Sequence, residues 1–249
     1  MKITVKATAL AFLTATALHA APVVWKAGEV SGAVTVQSAS RAPVAIRSGG
    51  TIPAGSTLRT GADGKVRLDP LPGVALKAGA NTQLRGLDAE LRKGGGRAVQ
   101  LDFSSGALMG AVSKGSLRID IHGGRLETNG AVFSTTLSPR CELLLVVASG
   151  SVEVIRPDGK RVKVRKGQFI TGTVCNTGFI VSAPAAISGN PAASALLAGL
   201  DSFFEGDTDG QFSRTVVTGS SGSLETAANP ANFSTGASGG STPIRSGEQ

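Results

Sequence analysis

This 249-residue chain has no tyrosine, a single tryptophan, two cysteines and two histidines. Each scarcity closes off a class of function. His19 lies in a leader-like N-terminal segment, so His122 is the one histidine left for chemistry. Neither an HExxH motif nor a Cys/His cluster stands near it. Walker loops and dinucleotide fingerprints are also absent, and Gly94-Gly95-Gly96 reads as a turn. No cofactor is expected. Apolar runs are short, and none reaches the ~20 residues with which a helix crosses a bilayer.

The first 21 residues read as a signal peptide. Lys2 and Lys6 supply the positive start, Ala7–Leu18 the short apolar stretch, and Ala15, Ala17, Ala20 and Ala21 a cleavage site before Pro22. A buried first helix is the alternative. No cysteine follows the cleavage site, which argues against a lipid anchor. The mature protein is therefore expected to be periplasmic or secreted, with no membrane insertion after cleavage. The chain carries 25 Lys and Arg against 17 Asp and Glu. Without Lys2 and Lys6 the balance is 23 against 17, a charge of +6. That favours acidic envelope polymers only loosely.

What the chain has in quantity is glycine, 34 residues, set between short runs of Val, Ile and Leu. This composition predicts β-structure with many turns. Residues 54–85 show it best. Val66 and Leu68 alternate with Lys65, Arg67 and Asp69; Val74 and Leu76 follow a Pro-Leu-Pro-Gly turn; Leu84 follows an Asn-Thr corner. An inward pair returning every eight to ten residues predicts short stacked rungs. Around this stretch, residues 28–37 predict a first strand with Val30, Val34 and Val36 inward. Residues 41–53 predict a second strand around Val44 and Ile46. Leu87–Arg92 has a brief helical look. Later strands put Val99, Leu101, Phe103, Leu117, Ile119 and Ile121 inward. Cys141–Ala148, the most apolar run after the leader, predicts a central strand covered on both faces. It turns at Ser149-Gly150, and Pro157-Asp158-Gly159 then makes a hairpin.

Six stretches resemble the FecR-like domain family: GSTLRTGADGKVRL (55–68), NTQL (81–84), VQLDFSSG (99–106), RLET (125–128), ASGSVEV (148–154) and RKGQFITG (165–172). The likeness runs from about Gly28 to Gly172. It departs where the family has Val-Arg-Gly-Thr and this chain has Val-Phe-Ser-Thr (132–135), which implies a changed edge there. The resemblance implies an all-β, solenoid-like or twisted-sheet and sandwich domain on the outer side of the cytoplasmic membrane. The family's best-known members are membrane-spanning sigma-factor regulators.

The resulting division is a signal peptide (1–21), a FecR-like β domain (22–184), a linker with one short helix (185–205) and a Gly/Ser-rich tail (206–249). The helix is expected at 191–204, with Pro191 at its first position and Leu196, Leu197, Leu200 and Phe203 or Phe204 on one face. The tail is expected to be disordered, because it has few residues to bury against its ordering entropy.

Candidate functional residues are few. Arg161, Lys163 and Arg165 lie on one face of one strand over ~14 Å, bracketed by Lys160 and Lys166, with Glu153 opposite. They suit an anionic ligand, or they guard an edge strand against pairing. Cys141 and Cys175, the only cysteines, form a disulfide in an oxidising compartment or are two buried thiols. Trp25 caps the core or stacks on a sugar. His122 reads as a polar turn residue. Asp102, Asp120, Glu127 and Glu153 fall at outward strand positions, as ordinary surface charges do. Glu205, Asp207 and Asp209 start like a calcium loop, but Val216 stands where the closing Glu would be. Residues 236–240 match a hydrolase nucleophile pattern without the strand, helix or downstream histidine it needs.

These readings predict an exported cell-envelope binding or scaffold module without catalysis, whose partner is an envelope protein or an anionic glycan. Nucleic acid is not among the expected partners. The alternative is a periplasmic signalling component acting with a separate membrane regulator. An envelope polysaccharide-active enzyme is the third reading.

Overall fold

Among the described residues, the period-two patterning of the sequence is realised as 17 strands in two facing layers. The computed structural model of the chain describes residues 24–39, 41–91, 96–175 and 178–204, with side chains as far as Leu200. The stretch expected to be a signal peptide, residues 92–95, the calcium-like stretch and the residues expected to form a tail lie outside the described residues.

Sheet A begins with β4 (Thr51–Ile52), β1 (Trp25–Ser31), β6 (Lys65–Leu71) and β7 (Val74–Ala78). It continues through β9 (Arg97–Val112), β12 (Ala131–Leu137), β13 (Glu142–Ile155) and β15 (Gln168–Cys175). The last of these carries β16 (Gly178–Val181) on one stretch and β17 (Ala185–Ala186) on another. Sheet B runs β3 (Val44–Ala45), β2 (Val34–Gln37), β5 (Thr57–Thr60), β8 (Gln83–Leu91), then β9. Beyond β9 come β10 (Ser116–Ile121), β11 (Gly124–Thr128), β13 again and β14 (Arg161–Arg165). Early strands lie at one end of both sheets and late strands at the other, so the chain winds along the sandwich as a solenoid does.

β9 and β13 belong to both sheets, and each bends where a glycine permits it. β9 leaves sheet B at Ser105 and enters sheet A at Gly106, which has φ +105°. A side chain there would run into Thr82. The bend is clamped by a buried hydroxyl network. Thr60 Oγ1 donates to Gly79 O at 2.5 Å and accepts from Thr82 N at 2.8 Å, while Thr82 Oγ1 accepts from Ala107 N at 3.0 Å. β13 bends at Gly150, φ +70°. Its two halves, with β9, β10, β11 and β12, close a five-stranded ring in which only β9 and β10 are parallel. Ser149-Gly150 is therefore a bend within one strand and not a turn between two.

The core between the sheets holds the residues expected to face inward: Val66, Leu68, Val74, Leu76, Leu84, Val99, Leu101, Phe103, Leu117, Ile119 and Ile121 are all buried. Along β13, Leu143, Leu145 and Val147 enter this core, while Leu144, Val146 and Ala148 face the other way. That outer face is covered by α1 (Pro191–Phe204), which seats Ala193, Leu196, Leu197 and Leu200 on it. Asn190 caps the helix, its Oδ1 accepting from Ala193 N at 2.9 Å.

Four further expectations need correction. Leu87–Arg92 is not helical: residues through Leu91 extend β8, because Leu87 and Ala89 alternate into the core. The strand around Val44 is two residues long, and Val44 is 64% exposed, β3 pairing with β2 alone among the described residues. The first strand is two, broken by Gly32 at φ +66°. Val132–Thr135 is not at an edge: β12 pairs on both sides, with β9 and β13. There Phe133 packs over Gly110, and Ser134 is buried with its hydroxyl unpartnered among the described residues.

Candidate functional site

The Pro157-Asp158-Gly159 turn returns the chain from β13 into β14, with Arg156 and Lys160 closing it by a 2.9 Å backbone hydrogen bond. Val164 and Val162 turn into the core, so Arg161, Lys163 and Arg165 all point outward and are exposed. Among the described residues β14 pairs with β13 alone, which makes it an edge strand of sheet B. Arg161 donates to Glu153 Oε2 at 3.0 Å. Lys163 lies in register with Glu153, but neither it nor Arg165 makes an ion pair among the described residues. Lys160 lies 3.8 Å from Asp158. Five cations at and beside β14 thus meet two carboxylates, and a positive stripe is left over.

The stripe borders a charged lattice on the outer face of sheet B. Strand register aligns Arg85, Asp102, Asp120 and Arg125 in one transverse row. A second row holds Asp88, Gln100, Arg118, Glu127, Glu153 and Lys163. Asp120 is the hub, accepting from Arg125 Nε at 3.0 Å, Gln100 Nε2 at 3.1 Å and Arg118 Nε at 3.3 Å. Arg125 also donates to Glu127 at 3.1 Å. Burial disfavours the Arg125 cation, but these bonds outweigh it and hold its pKa above the ordinary arginine value. Asp102 differs. Partial burial, then the neighbouring Asp120 carboxylate, push its carboxyl above the usual range, against the opposing pull of Arg85 and Arg118.

At the end of the first row lies an open cleft of about 470 Å³, lined by Arg85, Asp102, Asp120, His122, Arg125 and Arg156 among others. His122 occupies the hairpin turn expected of it, at φ +36°, with Nε2 3.2 Å from Ser104 O. Nothing in the residue pattern points to this cleft. Arg85, Arg125 and Arg156 are distant along the chain, and only strand register brings them together.

The remaining candidates take structural positions. Trp25 is fully buried, which removes the sugar-stacking alternative. Cys141 and Cys175 are bonded, with Cα atoms 5.4 Å apart. Among the described residues no three His, Cys, Asp or Glu side chains gather to hold a metal, and no helix is long and apolar enough to cross a membrane.

No family model and no curated protein matches the chain. Among solved structures it is similar to two crystal structures, at 1.65 Å and 2.50 Å, of a candidate anti-sigma factor from Parabacteroides distasonis. Identities are 13% and 12%, each with a TM-score of 0.43 over 52% of this chain. The match spans 59% of the length of those chains.

Proposed function

We propose that this chain is an exported, non-catalytic binding module of the cell envelope, built on a FecR-like β domain, that holds an anionic partner along β14. The carrying observation is the exposure of Arg161, Lys163 and Arg165 on an edge strand with one ion pair among the three. Like charges on alternate positions of one strand repel, and an anionic chain laid along them relieves that cost while leaving the fold untouched. Affinity of this kind follows charge and ionic strength more than sequence, because exposed charges are screened over about 10 Å in 0.1 M salt.

Two features support the FecR-like assignment of the domain. The GSTLRTGADGKVRL segment forms β5, a tight turn and β6, and Thr60 of that segment hydrogen-bonds Thr82 of NTQL. The motif residues thus hold one another in place at the bend of β9. The absence of catalysis is part of the proposal: Asp120, the best-placed carboxylate, is already occupied by three donors.

Replacing Arg161, Lys163 and Arg165 together by Ser tests this reading. Retention on an immobilised polyuronate is expected to fall at least about tenfold at low salt and to differ little at high salt. Equal retention at low salt would leave β14 as a guarded edge. In that case the signalling reading, through a separate membrane protein, becomes the one to pursue.

A further inference from the structure

Sheet A carries a groove of about 510 Å³ beside β1 and β6, with Val24, Lys26, Arg67, Asp69, Leu71 and Pro72 among its walls. One end is apolar: Val24 is 50% exposed there, and Pro72 is exposed beside it. The rest is cationic. Trp25, Ala27, Val66, Leu68, Leu76 and Ala78 are buried, so alternation puts Lys26, Lys65, Arg67, Asp69 and Lys77 on the outer face. Arg67 bonds Asp69 at 3.1 Å and stands directly opposite Lys77 on β7. Lys26 is in register with Asp69, yet neither Lys26 nor Lys65 makes an ion pair among the described residues. Like charges gathered on one face of a sheet repel, and a single carboxylate does not balance these four cations.

The helix leads the chain to this place. α1 begins over β13, where Ala193 packs with Val146, and by Leu200 it has reached Ala75 of β7 and Ala111 of β9. Gly199 shares a small cavity with Lys65 and Lys77. The next strand beyond β7 is β6, and β1 follows it. From Leu200 the helix continues to Phe204, about 6 Å further along its axis and more than the ~4.8 Å between strands. No basic residue stands in its last turn, so the cations of sheet A supply the charge that its C-terminal carbonyls favour.

What comes next in the sequence matches both ends of the groove. Residues 205–212 read Glu-Gly-Asp-Thr-Asp-Gly-Gln-Phe, three carboxylates without a cation and then an aromatic. Eight residues reach up to ~28 Å, and Lys65 to Leu71 along β6 is ~20 Å. We propose that residues 205–212 of this same chain dock in the groove. Glu205, Asp207 and Asp209 lie against Lys65, Arg67 and Lys26, and Phe212 lies against Val24 and Pro72. Exposed ion pairs alone would hold such a segment weakly. The Phe212 ring adds apolar burial, and direct attachment to α1 keeps the segment at about millimolar local concentration or above. This inference does not rest on the β14 reading. It does assign a consequence to it: with the cations of sheet A covered from within, an external polyanion meets β14 instead.

The test uses the ¹⁵N-labelled full chain at low salt. Two variants alter the segment, Glu205→Gln with Asp207→Asn and Asp209→Asn in one, and Phe212→Ser in the other. Backbone order parameters of residues 205–212 are expected above ~0.6 in the wild type and below it in both variants. The amides of Lys26, Gly28 and Arg67 should shift in the carboxylate variant, and those of Val24 and Leu71 in the Phe212 variant, with β10 and β11 unmoved. Lys26→Ser with Lys65→Ser changes only the groove side, and should lower the order parameters of 205–209 in the same way. Chymotrypsin should cut after Phe212 at least about tenfold faster in the carboxylate variant than in the wild type. Wild-type order parameters below ~0.6 for 205–212, or shifts confined to the altered segment itself, would overturn the proposal. So would groove amides that respond to a change at Val23 and not to one at Phe212, since the start of the chain would then be the occupant.

Discussion

Removing the Cys141–Cys175 bond by the double change Cys141→Ser and Cys175→Ser isolates one well-defined contribution to stability. The bond joins residues 34 apart. On the chain-entropy model a loop of that length restricts the unfolded chain by about 3.8 kcal/mol at 25 °C. The folded state does not need the bond for registry, because β13 and β15 are already paired beside it, Glu142 with Thr173, and Val174 N donates to Cys141 O at 2.8 Å. Most of the loss should therefore come from the unfolded side. A domain of this size shifts its Tm by about 2–4 °C per kcal/mol, so a fall of roughly 8–15 °C is expected. Cys141 also sits at φ +65°, where a Cβ costs about 1–2 kcal/mol. Cys141→Gly with Cys175→Ser should accordingly recover part of the fall. Thermal unfolding followed by circular dichroism, with and without reductant, reads both effects. A fall under ~3 °C would refute the entropic argument, and a glycine variant no better than the serine one would refute the backbone cost assigned to position 141.

Three further outcomes follow from single positions. Ser134→Ala should stabilise the chain by about 1 kcal/mol, since it removes a buried hydroxyl that has no partner among the described residues; chemical denaturation checks it. Gly110→Ala would set a Cβ 2.5 Å from the Phe133 ring and should cost about 1–3 kcal/mol, with partial rescue by Phe133→Leu. Asp102 has a folded pKa raised above its ordinary 3.8. The folded state therefore binds that proton more tightly, and the associated stability is full below the ordinary value and lost as pH rises through the folded one. Asp102→Asn should thus raise Tm at neutral pH and lose that advantage near pH 3; a constant difference across the range would contradict it.

Much of the fold was legible from alternation. Val66, Leu68, Leu76 and Leu84 are buried because period two and a one-faced sheet leave no other place for them. The helix was legible too, since Asn190-Pro191 starts it and Leu196 to Leu200 give it a face. Long-range register was not. That β9 and β13 each serve two sheets depends on Gly106 and Gly150 bending beneath Thr82 and Gly130, contacts between residues far apart in sequence. Leu87 and Ala89 fit a helix or a strand equally over so short a run, and pairing with β9 decided it. The stripe on β14 could be read because it is local to one strand. The cleft could not, because Arg85, Asp102, Asp120 and Arg125 become neighbours only through three strand pairings.

The proposal that β14 holds an anionic partner is tested most directly by mapping where such a partner lies. A short oligogalacturonate titrated into the ¹⁵N-labelled chain at low salt should shift the backbone amides of residues 161–165 first and most. Those shifts should fade as salt screens the stripe. Shifts centred on another face, or none at a concentration that saturates the polyuronate-bound wild type, would contradict it.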